Sequence, residues 1–177
     1  MSGNNSEGQL ACIGLGSNLG QSRRLLLEAW HSLGGHPQLK LLRLSSPCRS
    51  KPVGMVSENW FINAAGLLRC LLPPEELLDM LLKTELRFGR VRLPGQQGYQ
   101  DRTLDLDLLL IEGLTLRTER LTLPHPALQQ RLFVLAPLAE IAPQLRHPLL
   151  NKTVAELLAE LEPKTTKGDF EWTRWED

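Results

Sequence analysis

The chain has little cysteine, few aromatics, no surplus of charge and no long apolar run, and each shortage removes a class of protein. Its 177 residues include three cysteines, Cys12, Cys48 and Cys70. They are odd in number, far apart and without C-x-x-C spacing, which argues against a disulfide frame or a thiolate zinc site and fits buried, reduced thiols. Twenty basic residues balance twenty acidic ones, so the electrostatic footprint of a protein that grips nucleic acid or a membrane surface is missing. No stretch approaches the roughly 18 apolar residues of a membrane span. The opening "MSGNNSEGQ" is polar rather than basic and then apolar, unlike a secretion signal. These absences predict a cytoplasmic protein with no nucleic-acid or membrane partner. The common nucleotide fingerprints are absent too. There is no G-x-x-x-x-G-K-[ST], and the glycines of "GLGSNLG" stand at 14, 16 and 20 rather than in G-x-G-x-x-G spacing.

What is present suits one domain, because 42% hydrophobic content in a chain of this length is enough for a proper core. "QLACIGLGS" reads as a strand, and "QSRRLLLEAWHSL" as a helix stopped by "GGHP". "LKLLRLSSPCRS" predicts a second strand, "KPVGMVSEN" a loop, and "WFINAAGLLRCLL" a third strand. "PPEELLDMLLKTELRFG" predicts a helix, with Pro74 in its first turn, two glutamates at the positive end of its dipole and Gly89 as a stop. A loop over residues 89–102 leads to an Asp-bearing strand, and "EG" at 112 and 113 reverses the chain. The order β-α-β-β-α-β is the split βαβ plan of an α+β, ferredoxin-like fold with an antiparallel sheet. A C-terminal extension includes a helix near "VAELLAEL". One domain is expected over residues 1–162, followed by a tail, 163–177, that shows no period and reads as loosely held.

The Asp-bearing strand, "DRTLDLDLLL", is the feature that asks for chemistry. Successive strand side chains alternate in direction, so Asp105 and Asp107 share one face, about 6.6 Å apart at Cα, while Leu104, Leu106 and Leu108 fill the other. From this alternation alone two readings stand. One is a strand with its polar face in water; the other is a pair of hard oxygen ligands, which suit Mg²⁺ completed by water and substrate phosphate. Arg90, Arg92 and Arg102 bracket the preceding loop, and arginine suits phosphate through its planar fork of donors. Salt bridging among these groups is the other use for them. Glu85 falls on the leucine stripe of its helix with Leu78 and Leu82, as a partner of a ligand or as a rim residue. With nothing to pair them, the three loop arginines would repel one another, which predicts an open loop without nucleotide.

Over nearly its whole length the chain resembles the 6-hydroxymethyl-7,8-dihydropterin pyrophosphokinase family. The segments that carry the resemblance are "GSNLG", "WFINAA", "ELRFGRVR", "DRTLDLDLLL" and "LTLPHPALQQRLFVLAPLAEIAP", in family order. The resemblance implies transfer of the β,γ-diphosphate of ATP to the pterin's hydroxymethyl oxygen, with release of AMP, by a monomeric, three-layer α-β-α enzyme of folate biosynthesis using two Mg²⁺ ions. By position, Asp105 and Asp107 match the metal-holding aspartates, and Arg90 and Arg102 the arginines that engage the triphosphate and the group in transfer. Glu85, Arg92, Leu108, Arg120, Thr122, His125 and Arg131 match ATP-binding positions. Phe61 and Phe133 resemble the aromatic walls around the pterin and Asn63 the amide that reads its edge, with Ser50, Val53 and Tyr99 completing that pocket. For the phenylalanines, core packing is the alternative. The chain departs from the family pattern at Lys51, Tyr99 and Pro126, where proline, tryptophan and tyrosine are expected. Two other functions remain compatible with parts of the sequence. A metal-dependent phosphohydrolase could use the aspartates on water, and an RNA-binding module shares the strand order. The latter is disfavoured by neutral charge and by a complement of only four Trp, four Phe and one Tyr.

Overall fold

A computed structural model describes residues 7–176; the polar residues 1–6 at the start lie outside them. The chain runs through β1 (Gln9–Ser17), α1 (Ser22–Leu33), β2 (Leu39–Leu44), β3 (Cys48–Ser50), β4 (Phe61–Cys70), α2 (Pro74–Arg87) and β5 (Asp105–Ile111). It continues with β6 (Leu116–Arg117), β7 (Thr122–Leu123), α3 (Leu132–Ile141), β8 (Arg146–His147), β9 (Lys152–Thr153), α4 (Val154–Leu161) and β10 (Phe170–Trp172). The main sheet has six strands in the order β10-β3-β4-β1-β5, with β2 also on β4, and its pairings are antiparallel. β1 is therefore central, flanked by β4 and β5.

Alternation along β1 sorts its side chains into two cores. Ala11, Ile13 and Leu15 pack with Leu26, Ala29, Trp30 and Leu33 of α1 and with Leu77 and Leu81 of α2. Cys12 faces the other way, among Val134, Leu135 and Leu138 of α3 and Val154 and Leu157 of α4. Helices thus cover both faces of the sheet. α1 approaches so closely that a Cβ on Gly66 of β4 would stand 2.3 Å from the Trp30 ring; glycine is what admits the indole there. α2 begins at Pro74 with Glu75 and Glu76 in its first turn, as its sequence predicts. α4 is closed by a capping box in which Thr153 and Glu156 bond each other's backbone N–H. The three cysteines are free and buried; burial pushes the Cys12 and Cys48 thiols up to about 12.

Three elements differ from the pattern read along the sequence. The second strand is interrupted at residues 45–47, where Ser45 spends its hydroxyl and amide on the backbone of its neighbours and Pro47 brings no N–H. α3 forms over "LFVLAPLAEI" with Pro137 inside it, and its near-uniform burial removes the helical period from its sequence. The tail after Glu162 carries β10, which pairs with β3 across Phe170↔Ser50, Glu171↔Arg49 and Trp172↔Cys48.

Candidate active site

Leu104, Leu106 and Leu108 are all buried in the core under α1 and α2, and this fixes the register of β5. Asp105 and Asp107 consequently project from the opposite face, into a cleft also lined by Phe133 and Val134 of α3. Their neighbours across β1 are glycines: Asp105 lies opposite Gly16 and Asp107 opposite Gly14. On β4 the same rows continue to Asn63 and Ala65. A Cβ on Gly16 would sit 3.0 Å from Asn63 Oδ1 and about van der Waals distance from Asp105 and Phe61. The two glycines make a trough in the sheet face, bounded by Asp105 and Asp107 on one side and by Phe61 and Asn63 on the other.

Around this floor the charged groups are paired unequally. Arg90 Nη1 donates to Asp105 Oδ1, to Glu85 Oε1 at 3.0 Å and to the Leu104 carbonyl at 3.3 Å. Arg102 Nη2 meets Asp105 Oδ2 at 2.9 Å, and Arg92 Nη2 meets Glu85 Oε2 at 2.8 Å. Glu85, 2% exposed, also accepts the Leu106 N–H at 2.7 Å, so a buried carboxylate ties α2 to β5 and holds two arginines. Burial raises its pKa, opposed by that backbone bond and by Arg90 and Arg92. The Asp107 carboxylate accepts no hydrogen bond among the described residues, and burial, with the Asp105 charge beside it, pushes its pKa up to about 7. The repulsion expected among the loop arginines is absent because Glu85 and Asp105 lie between them.

Two clefts meet at the aspartates. One is lined by Ser50, Val53, Phe61, Asn63, Tyr99 and Phe133, with Arg102, Arg131, Asp105 and Asp107 along its inner edge. Asn63 Nδ2 donates to Ser50 Oγ at 2.9 Å. Arg102 stacks over Phe61 and Tyr99, and Arg131 over Tyr99 and Phe133 while donating to the Tyr99 hydroxyl at 2.9 Å. The other cleft is lined by Glu85, Arg92, Leu108, Arg120, Thr122 and His125 and again by Asp105 and Asp107. Arg120 is held there by Asp79 of α2, and His125 is anchored through its N–H on the Leu109 carbonyl at 2.7 Å. Arg90 lines a third hollow, with Arg92, Tyr99 and Arg102, under the loop that joins the two.

A model of 7,8-dihydro-6-hydroxymethylpterin-pyrophosphokinase (HPPK) matches residues 12–143. This chain belongs to that family. It is 40% identical over 153 residues to the 2-amino-4-hydroxy-6-hydroxymethyldihydropteridine pyrophosphokinase of Methylorubrum extorquens, covering 86% of this chain and 94% of the relative. It is 39% identical over 135 residues to the Bacillus subtilis protein of the same name, covering 76% and 79%. Among solved structures, Plasmodium falciparum HPPK-DHPS with pteroate superposes with a TM-score of 0.71 at 13% identity, over 93% of this chain and 47% of that one. At that identity the likeness speaks for the fold, and this chain spans about half the length of that protein.

Every residue that the sequence offers as a site candidate thus falls on one of the two clefts or on the loop between them. Sequence reasoning passes over others. Gly14 and Gly16 read as part of a turn-like "GLGSNLG", yet they lie inside β1 and form the trough; two glycines in a strand interior are the available signal. Asn18 is a second case. Its N–H and side chain bond Arg102 N and O and Asp101, and Asp101 in turn accepts from Asn59, linking the loops on either side of the cleft. Nothing in spacing predicts that long-range network.

Proposed function

We propose that this chain transfers the β,γ-diphosphate of ATP as one unit to 6-hydroxymethyl-7,8-dihydropterin, a step of folate biosynthesis. The acceptor's hydroxymethyl oxygen bonds to the β-phosphorus and loses its proton, the bond from that phosphorus to the α,β-bridging oxygen breaks, and AMP leaves. The observation that carries this reading is the placement of Asp105 and Asp107 in the wall shared by the two clefts. A group-transfer enzyme needs donor and acceptor to meet at such a point.

The residues fit a magnesium-nucleotide. Two carboxylates form a hard oxygen set, and among the described residues no cluster of three His, Cys, Asp or Glu could hold a metal by itself. That suits Mg²⁺, which takes one or two carboxylates and draws its other ligands from water and phosphate. We assign two such ions to Asp105 and Asp107; when bound they supply charge neutralisation and alignment of the phosphates. Asp105 and Asp107 would hold the ions, and Arg90 and Arg102, beside Asp105, would supply further positive charge to the phosphates.

The nucleotide is assigned to the cleft of Leu108, Thr122 and His125, with Glu85, Arg92 and Arg120 at its edges; Arg131, matched by sequence to the ATP positions, lies instead on the inner edge of the other cleft, against Tyr99 and Phe133. The pterin is placed in the other, between Phe61 and Phe133, with Asn63 reading its hydrogen-bonding edge, Ser50 orienting Asn63, and Val53 and Tyr99 closing the mouth. In this reading the fold is the ferredoxin-like split βαβ plan in three layers, acting as a monomer in the cytoplasm. The test is AMP formation from ATP and Mg²⁺ with and without 6-hydroxymethyl-7,8-dihydropterin. AMP that forms quickly only with the acceptor is expected. Release of phosphate or diphosphate at the same rate without it would instead identify a metal-dependent phosphohydrolase.

A further inference from the structure

β10 adds little to either core: Phe170 is half-buried, and Glu171 and Trp172 are exposed. Its bonds are concentrated on one short segment, 45–51. Beyond the three pairs with β3, Lys51 N donates to the Asp169 carbonyl at 3.0 Å and Thr173 N to the Pro47 carbonyl at 2.9 Å. Trp175 Nε1 donates to the Ser45 carbonyl at 3.0 Å. Lys51 Nζ and Asp169 Oδ1 stand 2.7 Å apart, as do Arg49 Nη1 and Glu171 Oε1. These two pairs are exposed and contribute little by themselves, so the backbone bonds carry the attachment. At the far end Arg23 of α1 donates to Thr173 Oγ1 at 2.8 Å, and the Trp175 ring packs on the core beneath α1.

The segment so held is the one from which the pterin-side cleft is built. β3 is three residues long, and Ser50, its last, accepts the Asn63 amide inside the cleft. The chain then leaves the sheet at Lys51 as the loop that brings Val53 and Met55 to the cleft wall. Without β10, a three-residue strand would be an edge held from one side only, and its exit point would be free to shift.

We propose that residues 169–175 are a strap that positions Ser50 and the loop after it for the acceptor, so that the C-terminal tail determines acceptor affinity without touching the acceptor. The inference rests on assigning this cleft to the pterin. A bound ligand that must itself order a loose wall binds more weakly.

The test compares the full chain with one ending at Thr165 and with Thr173→Pro. The latter removes the donor to Pro47 and leaves every cleft residue in place. In the truncated chain, KM for 6-hydroxymethyl-7,8-dihydropterin is expected to rise about tenfold by loss of preorganisation, with kcat and KM for ATP within about twofold. Thr173→Pro is expected to act in the same direction and more weakly, and in both chains amide exchange should quicken at residues 48–53. If truncation prevents folding, Thr173→Pro decides alone. An unchanged acceptor KM with quickened exchange, or equal damage to both substrates, would overturn the strap. Asn63→Ala in the full chain separates the two ideas: if it too spares acceptor binding, the pocket assignment has failed rather than the strap.

Discussion

Asp105 and Asp107 are one residue apart and live in different electrostatic surroundings. Asp105 is neutralised by Arg90 and Arg102, while Asp107 is pushed up to about 7 by burial and by Asp105. Replacing either by Ala should leave the fold intact and lower diphosphoryl transfer by several orders of magnitude. In the proposed site each change would remove a ligand for cations that both place ATP and balance its charge. A soluble double variant with unaltered turnover would refute the metal assignment. A second consequence concerns the metal-free protein. The folded chain holds the Asp107 proton to about pH 7, whereas an unfolded Asp loses it near 3.8. Between those values the native state binds more protons, so the contribution of Asp107 to stability is favourable in acid and is lost as pH rises toward 7. With a chelator present, Asp107→Asn should flatten that part of the melting-temperature profile between about pH 4 and 7, as scanning calorimetry at several pH values would show.

At the scale of elements, the contact between α1 and β4 is the tightest packing constraint described. Gly66→Ala would drive a methyl group into the Trp30 ring and should cost about 1 to 3 kcal/mol by overpacking. Chemical denaturation would measure it, and a neutral result would mean that α1 can shift outward at no cost. The elements also show what a sequence displays and what it hides. α2 was legible because Pro74, the first-turn glutamates and Gly89 mark its ends, and β5 because Leu104, Leu106 and Leu108 alternate with the aspartates. α3 was not, since burial on nearly all sides leaves no period and Pro137 argues against a helix. β10 was not, since three residues with little burial owe their conformation to β3 rather than to local preference. In the site, charge and alternation exposed the aspartates and arginines, whereas the Asn18 and Asp101 bonds join residues 83 apart in sequence and leave no local trace.

For the molecule as a whole, the two clefts are coupled through the loop over residues 89–102. Its arginines pair with Glu85 and Asp105, so the loop is restrained by charge rather than open. Binding Mg²⁺ with a non-hydrolysable ATP analogue should move these arginines onto phosphate and exclude water from the reacting groups. Amide exchange at residues 90–102 is expected to slow with the nucleotide analogue and to slow further when the pterin is added. Identical exchange in the free and doubly liganded protein would show that the loop has no part in closure.

The strap also gives the protein two separate lamps. Of its four tryptophans, Trp172 and Trp175 ride on the C-terminal segment, Trp30 is 5% exposed in the core, and Trp60 stands beside the cations of Arg49 and Lys51. Light emitted by the tail and light emitted by the core therefore answer to different events. Detachment of the tail would redden and dim one part of the intrinsic emission while Trp30 stays dark to solvent quenchers. Only complete unfolding would expose all four indoles. The chain carries, without any label, the means to watch its C-terminal segment lift from β3.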